Sequence, residues 1–98
     1  MASYDLSKKA AEDLYDIWIF TYAIWSERQA DRYYAILKQA FEDIASYPMS
    51  VGKECDALVQ GLRSYHIRHH IIFYTLQANG RTLIVRILHE SMDYATHL

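Results

Sequence analysis

Residues 62–89 read LRSYHIRHHIIFYTLQANGRTLIVRILH, and the period of this stretch decides the fold. Three runs, Leu62–Ile67, Ile71–Gln77 and Thr82–His89, are rich in β-branched and aromatic side chains. Such side chains suit the pleated, half-buried surface of a sheet. Asn79-Gly80 between the last two runs signals a hairpin, because both residues tolerate positive φ. In the middle run, Ile71, Phe73 and Thr75 alternate with Ile72, Tyr74 and Leu76. Both faces are therefore largely apolar. One is expected to receive helices and the other to be covered by a partner.

Upstream of this stretch the period lengthens. From Lys8 to about Trp25, Ala11, Leu14, Ile17 or Trp18, Tyr22 and Trp25 recur at spacings of three and four, which predicts an amphipathic helix. Glu12, Asp13 and Asp16 are assigned to its opposite side. Ser7 stands at the N-cap position, where its hydroxyl accepts from a first-turn N–H. Ser26 interrupts the pattern and, with Gln29, has capping-box spacing for a second helix. That helix runs to about Ser46, with Ala30, Tyr33, Tyr34, Leu37, Phe41 and Ile44 on one face. Pro48 stops it. Tyr4–Leu6 reads as a short strand, Tyr47–Gly61 as an irregular loop, and Glu90–Leu98 as a turn with an irregular end. The expected architecture is α+β: an N-terminal strand, then an antiparallel helical hairpin packed on a three- to four-stranded, mainly antiparallel sheet. Residues 1–98 are expected to form one domain.

Composition narrows the function classes. A hydrophobic fraction of 52 % excludes a disordered chain. Cys55 is the sole cysteine, so no disulfide framework exists and a reducing, cytoplasmic setting is expected. No apolar run reaches the roughly 20 residues needed to span a bilayer. Met1–Lys9 lacks the apolar core of a signal peptide. A net charge of −2 argues against a direct grip on nucleic acid. Nine tyrosines and two tryptophans instead supply the stiff amphipathic surface enriched at protein contacts.

Taken together, several pieces carry a family resemblance. They are Leu6-Ser7, Ala10-Ala11, Asp13-Leu14 and Ile17; Tyr22, Trp25, Ala30, Tyr33, Leu37, Phe41 and Pro48; Gly52 and Gly61-Leu62-Arg63-Ser64-Tyr65; His70, Ile72-Phe73-Tyr74, Ile84 and Val85-Arg86-Ile87-Leu88-His89, then Met92-Asp93. The chain resembles the ParE toxins of the RelE/ParE superfamily over nearly its whole length. The resemblance implies a bacterial type II toxin–antitoxin module of the kind that stabilises plasmids. It implies a toxin that binds and poisons DNA gyrase, and a ParD-like antitoxin whose flexible part folds onto the toxin. Contact with DNA is expected only through the antitoxin, and a homodimer or a hetero-oligomer with the antitoxin is a further expectation. One departure from the family is the segment Glu90-Ser91-Met92-Asp93, where relatives often carry basic residues.

The alternative is a ribosome-dependent mRNA endonuclease of the RelE type. It would need a base for the 2′-hydroxyl and cations for the phosphate. Arg63, His66, Arg86 and His89 are the available candidates, with Glu54 from the loop. The competing reading pairs both arginines with carboxylates. A weaker third possibility is a relative that has lost toxicity. His66, His69 and His70, with Cys55 and His89 elsewhere, lack the spacing of a zinc site, so no metal or cofactor is expected. Cys55 lies between Glu54 and Asp56, which disfavours a thiolate. The expected partner-binding residues are Trp18, Tyr22, Trp25, Tyr33, Tyr34 and Tyr74, with Tyr15, Ile17, Phe20 and Ile24 as apolar residues left over from the buried stripe of the first helix.

Overall fold

Ser7 is the joint between sheet and helices. The strand before it, β1 (Tyr4–Leu6), runs parallel to β5 (Thr82–His89), with Leu6 opposite Ile84. The Ser7 N–H then donates to the Ile84 carbonyl at 2.9 Å, and its hydroxyl donates to the Val85 carbonyl at 2.7 Å. The same oxygen accepts from the Ala10 N–H at 3.0 Å and so caps α1 (Lys8–Ile24). Ser26 caps α2 (Glu27–Ser46) by accepting from Gln29 at 3.1 Å. The computed structural model describes residues 3–98. Met1 and Ala2, which open the segment read as lacking a secretion signal, lie outside the described residues.

The remaining strands are β2 (Lys53–Glu54), β3 (Arg63–Ile67) and β4 (His70–Leu76). The sheet order is β1-β5-β4-β3-β2, with β1–β5 parallel and every other pair antiparallel. Two elements go beyond the sequence reading. β2 adds a fifth strand inside the loop, and a single helical turn, α3 (Tyr94–His97), replaces the irregular end. Both are too short to show a period.

The helices cover one face of the sheet. Leu14 of α1 and Leu37, Phe41 and Ile44 of α2 pack on Ile72, Tyr74, Ile84 and Ile87. At about 25 cal/mol per Å² of buried apolar surface, this layer is the main stabilising term. The opposite face was expected to need a partner. The chain covers part of that face itself: Leu62, Phe73 and Leu88 are buried there, with Cys55 and Tyr94 against them.

Tyr74 belongs to the first of these layers and is fully enclosed, which corrects its assignment to a partner-binding surface. Its hydroxyl donates to the Pro48 carbonyl at 2.5 Å. Arg63 joins the same knot. Its Nε donates to the Pro48 carbonyl at 3.0 Å and to the Tyr74 hydroxyl at 3.2 Å, and its Nη2 reaches the Gly52 carbonyl at 2.9 Å. The loop after α2 is thus tied down by carbonyl contacts, where the sequence reading had a carboxylate partner. Gly52 is required at this point, because an added Cβ would collide with the Tyr74 hydroxyl and the Ser64 carbonyl.

β5 carries an irregularity. Phe73 pairs with Arg86 and Tyr74 with Ile84, so Val85 is an extra residue. Asp13 of α1 fits this bulge. One of its oxygens accepts from the Ile87 N–H at 3.0 Å, and the carboxylate receives Arg86 Nε and Nη2 at 2.8 and 2.9 Å. The two side chains are only 17 % and 13 % exposed. Asp13 therefore faces the sheet and not, as its acidic neighbours suggested, the solvent.

The far end of the sheet is held by imidazoles. Ile67 pairs with His70 across the two-residue turn Arg68-His69, and Arg68 there takes a positive φ of 55°. Tyr33 of α2 reaches this turn. Its oxygen lies 2.6 Å from His70 Nδ1 and accepts from the His69 N–H at 3.3 Å. His70 also meets the His89 ring edge-on at 5.3 Å. Burial first, then the charges of His89 and His69, push the His70 pKa down to about 4.

Two outcomes follow from these ties. Asp13→Ala leaves a half-buried guanidinium and an unpaired N–H, and should cost about 3 kcal/mol in urea unfolding. Arg81→Ala, which breaks the more exposed pair with Asp5 at 2.7 Å, should change little. A loss below about 1 kcal/mol for Asp13→Ala would remove the bulge from its central role. For His70 the folded pKa lies below the ordinary 6.5, so the fold favours the neutral ring. That contribution is complete above pH 6.5 and is lost as the pH falls toward 4. Melts between pH 7.5 and 4 should show His70→Gln with a flatter decline than the parent, and equal slopes would refute the assignment.

Candidate functional site

After Asp16 the chain continues through the end of α1 as Ile17-Trp-Ile-Phe-Thr-Tyr-Ala-Ile-Trp-Ser26, ten residues without a charge. A helix apolar all round is ordinarily buried all round. Here only one side meets the core, through Ile17. Phe20 is 66 % exposed, Ile24 60 % and Trp25 71 %. Tyr15, Ile19 and Tyr22 are exposed as well. The spacing assigns Trp18, Tyr22 and Trp25 of this segment to a partner and leaves Phe20 and Ile24 over. The uncharged run is the signal that would have moved them forward.

Phe20 and Trp25 border one groove and Tyr15 a second. The larger, about 790 Å³, lies between the second half of α1, the start of α2 and the β3–β4 turn. Phe20, Trp25 and Tyr33 give it aromatic walls, and Arg32, Arg68 and His69 stand along it, with Asp16 also in its lining. Among the described residues neither Arg32 nor Arg68 belongs to an ion pair. Arg32 and Arg68 were not singled out from sequence, since only the folded turn brings residue 68 to α2. The smaller groove, about 550 Å³, runs between the helices beside Leu6 and includes Tyr15, Trp18 and Tyr34. Trp18 stacks on Tyr22 at 5.2 Å, and its indole N–H donates to Asp31 at 3.0 Å. Lys38 lies 5.8 Å over the Tyr34 ring. Of the six expected partner-binding residues, five thus sit on the helical hairpin, and Tyr74 does not.

The four residues considered for nuclease chemistry are not brought together. Arg63 is spent on loop carbonyls and Arg86 on Asp13. His66 lies 2.9 Å from one Glu90 oxygen, and His69 3.2 Å from the other. These two hydrogen bonds hold the Glu90 carboxyl below its ordinary pKa. His89 turns to Ser91 at 2.7 Å. Glu54, on the edge strand β2, is exposed opposite Arg63. No hydrogen bond or ion pair joins any two of Arg63, His66, Arg86 and His89 among the described residues. Cys55 donates to the Ser64 hydroxyl at 3.1 Å. No group of three or more histidine, cysteine or acidic side chains among the described residues could hold a metal. What the surface offers is broad apolar contact with cations at its margin, the makings of a protein-binding face.

Comparison with known proteins agrees with this geometry. The family described as "ParE toxin of type II toxin-antitoxin system, parDE" matches residues 4–94. Toxin ParE1 of Caulobacter vibrioides is 36 % identical over 98 residues, spanning 100 % of this chain and 99 % of that protein. Toxin ParE1 of Mycobacterium tuberculosis is 35 % identical over 95 residues, 97 % of this chain and 96 % of that one. Among solved structures, a chain of the chromosomal ParDE toxin–antitoxin system from P. aeruginosa shares the fold with a TM-score of 0.78 at 17 % identity, over 91 % of this chain and 96 % of that one. A chain of the RelBE2 toxin–antitoxin complex from Mycobacterium tuberculosis shares it with a TM-score of 0.65 at 20 % identity, over 91 % and 98 %. A sheet bearing a two-helix layer, an exposed uncharged helix end and near-full-length identity above 30 % lead to one statement: this chain belongs to the ParE toxin family of type II toxin–antitoxin systems.

Proposed function

We propose that this chain is a toxin that acts by gripping DNA gyrase and is neutralised by a ParD-like antitoxin folding over its helical hairpin. The observation that carries this reading is the uncharged second half of α1, exposed between two grooves. Apolar surface of that extent is costly to leave in water and is stabilised by a covering protein. A flexible antitoxin segment suits the task, because it can wrap a large area and be removed by proteolysis. Family membership supports the toxin role, and the likeness to chains of the ParDE and RelBE2 toxin–antitoxin systems supports an antitoxin partner. Among the described residues no helix is long and apolar enough to cross a membrane. We place the action in the cytoplasm, where gyrase works, with residues 1–98 as one working unit. The scattered positions of Arg63, His66, Arg86 and His89 support binding over RNA cleavage as the mode of action.

Purified chain added to gyrase, ATP and plasmid should convert plasmid to the linear form, and antitoxin should suppress this. Phe20→Glu and Trp25→Glu should each weaken gyrase poisoning or antitoxin capture by at least about 10-fold, as expected at interface anchors. Their melting temperatures should stay near the parent value, because both side chains are already exposed. Ribosome-dependent cleavage of messenger RNA with gyrase untouched would overturn the reading.

A further inference from the structure

On the sheet face turned away from the helices, burial is lopsided. Phe73 is 1 % exposed, yet part of its cover is the C-terminal segment, in which no helical residue is buried. The Tyr94 ring meets Phe73 edge-on at 5.4 Å. Arg86 Nη1 donates to the His97 carbonyl at 2.6 Å. The other bonds lie within the segment or its adjoining turn. Asp93 accepts from the Ala95 N–H at 3.2 Å, the Leu98 N–H donates to the Tyr94 carbonyl at 3.1 Å, and the Tyr94 hydroxyl donates to the Glu90 carbonyl at 2.8 Å. A helix of one turn does not stand by itself in water. It holds its place through one ring and one carbonyl.

We propose that Asp93–Leu98 is a detachable strap, which swings away at the Glu90–Met92 turn while the sheet stays folded and bares an apolar face around Phe73. Opening leaves Asp13 with both of its bonds from Arg86, so the tie between α1 and β5 survives. Glu90 stays in place too, held by His66, by His69 and by its own N–H on the His69 carbonyl at 3.0 Å. The hinge therefore has a fixed root and a loosely held arm. The face it uncovers accepts an aromatic ring, as it accepts Tyr94.

Native-state hydrogen exchange on the full chain tests this, and it does so without gyrase or antitoxin, so its outcome leaves the toxin reading untouched. The Thr96 and Leu98 amides should exchange at least about 100-fold faster than those of β4, as separate opening units do. Tyr94→Ala should raise the fluorescence of an apolar dye several-fold with little change in melting temperature. Tyr94→Phe, which keeps the ring on Phe73, should not. The proposal is overturned if the strap amides exchange together with β4. It is also overturned if Tyr94→Ala lowers the melting temperature as much as Leu37→Ala in the main core, since the segment would then be part of the folding unit.

Discussion

The whole arrangement turns on one carboxylate seated in a sheet defect. Just past a bulge in β5 stand the Ile87 N–H and the Arg86 guanidinium. Asp13 satisfies both, in the second turn of the helix that Ser7 has just started. Burying a lone carboxylate is unfavourable, and burying this one is acceptable because every charge and donor around it is matched. The result is directional. Helix α1 cannot rotate or slide on the sheet without abandoning these bonds, so its apolar end points to the same place in every copy of the fold. Hydrophobic packing by Leu14 and Phe41 supplies most of the free energy, but it would tolerate small slips that the Asp13 tie forbids.

With α1 fixed, its second half becomes the surface of interest. Of its ten uncharged residues, Ile19, Phe20, Tyr22, Ile24 and Trp25 stand exposed. Arg63, Arg81 and Arg86, by contrast, are all engaged within the fold. The molecule thus assigns its inner cations to architecture and leaves aromatic rings, with Arg32 and Arg68 beside them, for outside contact.

Much of this was legible in the sequence, for local reasons. Ser7, Ser26, Pro48 and Asn79-Gly80 act on neighbours a few residues away, and they start, stop or turn the chain where expected. Strand alternation correctly put Ile72 and Tyr74 on one face and Phe73 on the other. What it could not say was that Tyr74 is sealed by Pro48 and Arg63, since that needs the loop's path. Asp13 was misread because the period alone places it beside Glu12 and Asp16, and only the bulge 73 residues downstream supplies its partner. β2 and α3 are held by pairing and capping without any hydrophobic repeat, so they left no periodic trace. The family resemblance gave the toxin role, which no spacing encodes.

Exposed apolar side chains at Phe20, Ile24 and Trp25 bear on how much of this protein can exist uncovered. Two bare copies meeting in solution lower their free energy by hiding these patches in each other, against the repulsion of Arg32 and Arg68 at the margin. The solubility of the uncovered chain is therefore limited by this helix end.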